Sequence, residues 1–326
     1  MRAGVVERYR PPSVVRIATV ADPVAGRGEV LVRVVAATVN SGDARIRGAR
    51  FPRGFALPGR LALGLRGPRA AVLGVVFSGV VEATGAGAVG VAVGDRVCGM
   101  TGARMGAHAE LVAVSASRVV RVPDEVSFED AAGVLFGGTT ALHFLRDKAG
   151  VRRGEQVLVV GASGAVGTNA VQLAKHLGAT VTAVTSDGNA TLATELGADR
   201  VIDYRVTPVG SLAKHGERFD VVFDTVGALS PATGRPLLSA GGRLLLAAAS
   251  LGEIVTARGP VKTGTAPQRT EDFDTLLGLV GSGALHVVID GALPLDRLAE
   301  AHARVDSGRK IGNLVLRPQN VADPTV

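Results

Sequence analysis

The chain has 326 residues, 47% hydrophobic, 20% charged and 3% aromatic, which is enough for two soluble domains with separate cores. Its net charge of +7 is carried by 31 Arg and 5 Lys, scattered without a tract or interleaved aromatics, so the composition argues against a nucleic-acid partner. A single cysteine, Cys98, excludes an internal disulfide and any Cys-cluster metal site, and the apolar run 70–81 is too short for a membrane span; with no apolar signal core at the N-terminus, a cytoplasmic protein without a membrane partner is expected.

The first 122 residues read as β-rich. Strands fall at 30–35, within 72–81, at 95–98 and at 110–114, punctuated by Asp22-Pro23, Gly85, Gly90 and Gly94-Asp95. Short strands at this spacing suggest a compact barrel. Residues 48–70, rich in Gly, Pro and Arg, show no period and read as a loop. Ser127-x-x-Asp130 resembles a capping box and opens a helix, which Gly137-Gly138 is expected to interrupt before the pattern resumes at Thr139. From Gly154 the chain alternates strand and helix. Strands are expected at 156–160, 180–184, 201–202, 221–223, 243–247 and 287–289, with helices around 192–196, 231–238 and 273–280. Segment 255–270 reads as a surface loop. The tail gives one helix, 295–305, and one strand, 314–316, expected to rejoin the first domain. The domains are therefore 1–122, 123–290 and a returning segment 291–326.

The most informative stretch is Ala162-Ser163-Gly164-Ala165-Val166-Gly167. It follows an apolar strand and precedes a helix and a second strand, the opening unit of a dinucleotide-binding sheet. Gly164 lets the backbone approach a pyrophosphate, Gly167 lets helix and strand pack closely, and the helix N-terminal amides face the phosphate charge. The plainer alternative is a strand–turn–helix with no ligand.

Further segments carry a family resemblance. They are Ala37-Thr-Val-Asn40-Ser-Gly-Asp43, Ser78-Gly-Val-Val-Glu82 with Gly94-Asp-Arg-Val97, Gly106-Ala-His-Ala-Glu110, Gly138-Thr-Thr-Ala141, Leu196-Gly-Ala-Asp199, Ile202-Asp-Tyr204, Phe223-Asp-Thr-Val-Gly227 and Lys310-Ile-Gly-Asn-Leu-Val315. In this order, and over nearly the whole chain, they resemble the medium-chain dehydrogenase/reductase superfamily in its zinc-independent, quinone-oxidoreductase-like branch. The resemblance implies an α/β protein: a GroES-like β-barrel domain plus a Rossmann-type doubly wound parallel sheet, with a nicotinamide held in the cleft between them. It also implies a homodimer paired through the nucleotide-binding domain, for which 243–250 offers an edge strand.

The positions that match the zinc ligands of metal-dependent relatives are Asn40, Val75 and Phe136, and two of these cannot bind metal. No zinc is expected. Without a metal to stabilise an alkoxide, the substrates implied are ready hydride acceptors, quinones and α,β-unsaturated carbonyls. The alternatives are an enoyl reductase tailoring a polyketide or acyl intermediate, and a non-catalytic NADPH-binding sensor or partner protein.

The resemblance places Asn40 beside nicotinamide and substrate; the alternative is a turn Asn bonding its own backbone. Asp43 is a candidate proton-transfer group or an organiser of its loop. Thr140 is a candidate contact to the nicotinamide ribose or phosphate. Ala162 to Gly167 form the pyrophosphate turn. Val226, Gly227, Ala248 and Asn313 are expected near the nicotinamide. At the adenosine end, Ser186 stands where NAD-dependent enzymes carry a carboxylate, and Tyr204 matches a tyrosine that contacts the 2′-phosphate in NADPH-dependent relatives; Asn189 belongs to the same segment. These favour NADPH, with NADH an alternative because Asp187 adds negative charge and a familiar cation is missing. Arg205 is a candidate replacement for that cation. His108 and His143 are read as space-filling residues.

Overall fold

The computed structural model describes residues 1–51 and 54–319. A small antiparallel pair, β1 (Arg2–Val5) and β2 (Arg16–Thr19), lies beside two larger sheets. The first is built on β3 (Glu29–Thr38), which pairs with β4 (Val76–Thr84), β6 (Leu111–Ser115) and the late strand β15 (Asn313–Arg317). It continues through β5 (Arg96–Met100) to β7 (Val119–Arg121) on one side and to β14 (Ile289–Pro294) on the other. Strand alternation explains the barrel core: Val30, Val32 and Val34 all point inward and pack with Phe77, Val97 and Val112. The tail strand does rejoin this sheet, antiparallel to β3, and the return begins at Ile289.

The second sheet is wholly parallel, in the order β10-β9-β8-β11-β12-β13. Its strands are β8 (Gln156–Val160), β9 (Thr180–Thr185), β10 (Arg200–Asp203), β11 (Phe219–Asp224), β12 (Leu238–Leu246) and β13 (Val261–Thr263). Neighbouring residues serve opposite faces. Val157 and Val159 enter one apolar cluster while Leu158 and Val160 enter another. Both faces are covered, which is why these strands read as continuous apolar runs.

The helices are α1 (Ser41–Gly48), α2 (Ala56–Leu63), α3 (Phe128–Leu142), α4 (Ala165–His176), α5 (Ala190–Glu195), α6 (Pro231–Gly234), α7 (Leu251–Thr256), α8 (Thr270–Gly281) and α9 (Leu298–Asp306). α3 is the joint between the domains. Its Ala131, Val134 and Leu135 share one cluster with Ala36, Val76 and Cys98 of the barrel and with Val157 and Phe223 of the parallel sheet. Cys98 is fully enclosed there, and burial pushes its thiol pKa up. Among the described residues no helix is long and apolar enough to cross a membrane.

Several expectations are corrected. α3 runs unbroken through Gly137-Gly138 and continues as a π-helical turn over His143–Ala149. These glycines serve close packing: a Cβ on Gly137 would lie 2.1 Å from the Ala165 carbonyl oxygen, and one on Gly138 would lie 2.9 Å from Leu276. Segment 48–70 contains α2, and 255–270 is entered by α7 and contains β13. The expected helix 231–238 yields after two short turns to β12, which starts at Leu238. β12 is an interior strand with β13 outside it, so 243–250 cannot be the edge through which two copies pair. The shortness of β13, three residues between two loops, hid it from pattern reading.

The helix packing predicts opposite effects for two Gly→Ala changes. Gly137→Ala should destabilise by about 1–3 kcal/mol, because backbone must move. Gly278→Ala on α8, where a Cβ meets nothing within 4 Å, should stabilise by up to about 1 kcal/mol. Chemical denaturation of the two variants checks the pair.

Candidate active site

The cofactor end of the site is a cleft of about 640 Å³ above the C-terminal edge of the parallel sheet. β8 is followed by Gly161, whose φ of +82° turns the chain sharply. α4 then begins, with Gly164 as its N-cap. The amides of its first turn have no partner within the helix. Gly167 is fixed by packing, since a Cβ there would lie 2.1 Å from the Gly161 carbonyl oxygen. Gly164 is different. A Cβ there meets no protein atom nearer than 3.6 Å and would project into the cleft that Gly164 lines. The fold does not demand this glycine, whereas a pyrophosphate lying on the turn does.

The second strand supports the same reading. Thr185 Oγ1 donates to Ser163 Oγ at 2.9 Å and Asn189 Nδ2 donates to it at 3.1 Å. With both acceptor positions used, the Ser163 hydroxyl proton is left for a ligand oxygen. Asn189 Nδ2 also reaches Ser186 Oγ at 3.3 Å. Ser163, Gly164, Ser186, Asn189, Tyr204 and Val226 all line the cleft. Ala162 is fully enclosed behind the turn, and Ala165, Val166 and Gly167 contribute backbone in the first turn of α4.

Two backbone devices close the cleft. Asp224 at the end of β11 is buried and accepts from the amides of Val226 at 3.0 Å, Gly227 at 2.9 Å and Leu229 at 2.7 Å. It thereby folds the loop so that Gly227, φ +82°, faces Ala248. Opposite, the Gly312 amide donates to the Ser163 carbonyl at 2.8 Å. Asp290 anchors this returning segment, accepting from Arg304 Nε at 2.7 Å and from the Ile311 amide at 3.2 Å. Arg309 and Lys310 thus join Arg205 on the cleft wall. Burial lowers the Lys310 pKa to about 8, partly countered by Asp290. Arg309, Asp224 and Asp290 escaped the sequence reading. Arg309 stands just outside the segment that begins at Lys310. Asp224 lies within a quoted segment that does not announce the turn it braces two to five residues on. Asp290 acts through Arg304 and Ile311, distant in sequence.

Asn40 sits apart from this cleft, at the N-cap of α1 and near Phe136 on α3. Its Oδ1 accepts from the amides of Gly42 at 2.8 Å and Asp43 at 3.1 Å, so the capping alternative holds for the oxygen. Its Nδ2 is buried without a partner. Asp43 does not reach a cleft. It is buried, and its Oδ2 accepts from the Asn40 amide at 3.0 Å. Burial raises its pKa despite His108 Nε2 at 3.8 Å. This geometry makes Asp43 a positioning residue for Asn40 in place of the proton-transfer group weighed from sequence. Thr140 donates to the Phe136 carbonyl at 2.8 Å along its own helix and does not line the cleft. Asn313 is buried at the domain junction, its Nδ2 donating to the Val288 carbonyl at 3.2 Å, so its side chain is committed to structure in place of cofactor. His108 is fully buried and donates from Nε2 to the Thr38 carbonyl at 3.1 Å. His143 bonds Asp147 at 2.9 Å on the π-helical turn, outside the cleft.

Among the described residues, no group of three or more His, Cys, Asp or Glu is placed to hold a metal ion. Val75 and Phe136 offer no ligand atoms.

Comparisons with known proteins agree with this architecture. The family described as alcohol dehydrogenase GroES-like domain matches residues 26–124, zinc-binding dehydrogenase matches 196–316, and the C-terminal domain of alanine dehydrogenase/PNT matches 137–239. The chain is 32% identical to a quinone oxidoreductase of Pseudomonas aeruginosa over 76% of its own length and 82% of that protein's. It is 30% identical to the 2-methylene-furan-3-one reductase of Solanum lycopersicum, covering 98% of this chain and 79% of that one. A mycobacterial protein solved in complex with NADPH superposes with a TM-score of 0.80 at 30% identity, covering 98% of this chain and 100% of the other. The chain is an oxidoreductase of the medium-chain dehydrogenase/reductase superfamily and belongs to its quinone oxidoreductase-like branch.

Proposed function

We propose that the protein is an NADPH-dependent reductase of quinones or α,β-unsaturated carbonyls that works without zinc. One observation carries the cofactor choice. In the cleft that Ser186 and Tyr204 line, they are joined by Arg205, Arg309 and Lys310, and among the described residues no carboxylate lines the wall. A ribose held by NAD-type recognition calls for a carboxylate there; a 2′-phosphate calls for cations and hydroxyls. Asp187 does not line the cleft, which is consistent with a 2′-phosphate there. The mycobacterial neighbour's complex with NADPH supports the same choice.

The donor set supports metal-free chemistry, because Asn40, Val75 and Phe136 cannot supply three ligands. When bound, the reduced cofactor supplies a hydride. Reduction at the electrophilic carbon leaves negative charge on the acceptor's oxygen, and a proton from solvent completes the two-electron step. The chain's contribution is the free Asn40 Nδ2 donor, held rigid by the α1 cap and by Asp43. A fixed donor in a dry site stabilises developing oxyanion charge. The relatives' names, a quinone oxidoreductase and a 2-methylene-furan-3-one reductase, favour conjugated acceptors. We also propose a homodimer, paired through β13 as the outer strand of the parallel sheet.

Three outcomes are expected. Asn40→Ser keeps a capping oxygen but removes the amide donor. Its kcat toward a quinone and enone panel should fall on the order of 100-fold, with stability changed by less than about 1 kcal/mol. An unchanged rate would remove Asn40 from the chemistry. Arg309→Glu should weaken NADPH binding by about 10-fold or more and leave NADH within about 3-fold, read by fluorescence titration. Equal losses for both cofactors would set aside the 2′-phosphate role. Finally, Lys310 is cationic below about pH 8 and neutral above it, so NADPH affinity should fall as pH rises through that value. Lys310→Met should bind more weakly at pH 7 and lose that pH step.

A further inference from the structure

A second concavity, of about 530 Å³, lies on the barrel domain, lined by Arg8, Tyr9, Arg10, Arg60, Leu65 and Arg66 and floored by backbone at the C-terminal end of α1. Asn40 caps the other end of α1, eight residues away, about 12 Å by helix rise. The concavity shares no lining residue with the cofactor cleft.

Four arginines face it, all exposed, and none has an ion-pair partner among the described residues. The nearby carboxylates are already taken. Glu7 pairs with Arg16 at 2.5 Å, and Asp306 pairs with Arg47 at 2.5 Å and with Arg50. The frame that gathers the arginines is built, since three segments are sewn together by backbone bonds. The Tyr9 amide donates to the Arg66 carbonyl at 3.5 Å, the Arg10 amide to the Arg47 carbonyl at 3.2 Å, and Tyr9 Oη to the Gly64 carbonyl at 2.6 Å. Gly67 approaches so closely that a Cβ there would lie 1.9 Å from the Glu7 carbonyl oxygen. Tyr9 is buried and fixes its neighbours, while the Arg60 guanidinium lies 5.7 Å from its ring centroid. Four like charges around one hollow give it a positive potential that attracts an anion. Guanidinium forks match phosphate oxygens in pairs, and the volume suits a small organic ligand.

We infer that this concavity is a second, anionic-ligand site for a phosphate ester or pyrophosphate group, filled independently of the cofactor. Arg60 and Arg66 hold the phosphate oxygens from the α2 side, Arg8 and Arg10 from the N-terminal side. Leu65 and the Tyr9 ring give the rest of the ligand an apolar wall.

The test is calorimetric titration of pyrophosphate into the protein saturated with NADPH, which fills the other cationic cleft. A parallel arm measures co-sedimentation with phosphatidylcholine vesicles, with and without phosphatidylglycerol. Single-site pyrophosphate binding that weakens at least 10-fold in Arg60→Glu/Arg66→Glu assigns the site to a soluble phosphate. Binding only to phosphatidylglycerol vesicles, lost in the same variant, assigns it to a lipid headgroup. No binding in either arm, or binding that survives the double charge reversal, overturns the inference. Arg60→Gln/Arg66→Gln, with thermal unfolding alongside, separates charge loss from misfolding: it should retain the fold and show an intermediate loss. Neither arm reads turnover, so failure of the reductase reading leaves the result intact.

Discussion

The cofactor end depends on how closely two backbones meet between Ser163-Gly164 and Gly312. The Gly312 amide reaches the Ser163 carbonyl, and the two glycines form a parallel bridge. Gly312 itself has φ +57°, and a Cβ on it would lie 2.2 Å from the Val288 carbonyl oxygen. A side chain there would force the start of the returning strand off Val288 and disturb its fit to the glycine turn. Arg309 and Lys310 would leave the cleft wall with it, and β15 would lose its alignment with β3. One close approach therefore ties the phosphate turn, the cationic wall and the reunion of tail and barrel into a single geometry.

That approach also accounts for the division of labour at the site. The parallel sheet supplies a rigid floor because both its faces are buried. The cationic groups of the cleft wall come from its loops and from the tail. Loops on a rigid scaffold are where binding chemistry is placed at little cost to the core. Asp224 and Asp290 brace the loops by turning carboxylates inward onto backbone amides.

The sequence made the sheets and the turn legible, because their signals are local. Val157 to Val160 form an uninterrupted apolar run, and Gly164 and Gly167 stand at fixed offsets from it. Ser186 was found by counting along the second strand, and Asn189 and Tyr204 by the family resemblance. What escaped detection depends on distance in space. Gly137-Gly138 reads as a helix break unless the Ala165 carbonyl and Leu276 are known to press on that face. Helix α2 has no capping side chain, and its leucines at 57 and 61 are exposed, so no buried stripe announced it. Asn40 presented a true ambiguity: its oxygen caps a helix and its nitrogen stays free, two roles in one side chain that spacing cannot separate. Asn313 misled because a motif position was legible while the direction of its side chain was not.

The placement of Cys98 has a chemical consequence. Quinones and conjugated enones alkylate thiolates, so a protein that handles them risks arylation of its own sulfur. Here the sole thiol is enclosed beneath α3, and burial holds it protonated at neutral pH. Neither the nucleophile nor a route to it is available to such an electrophile. The domain joint therefore provides chemical immunity as well as cohesion, without any residue set aside for the purpose.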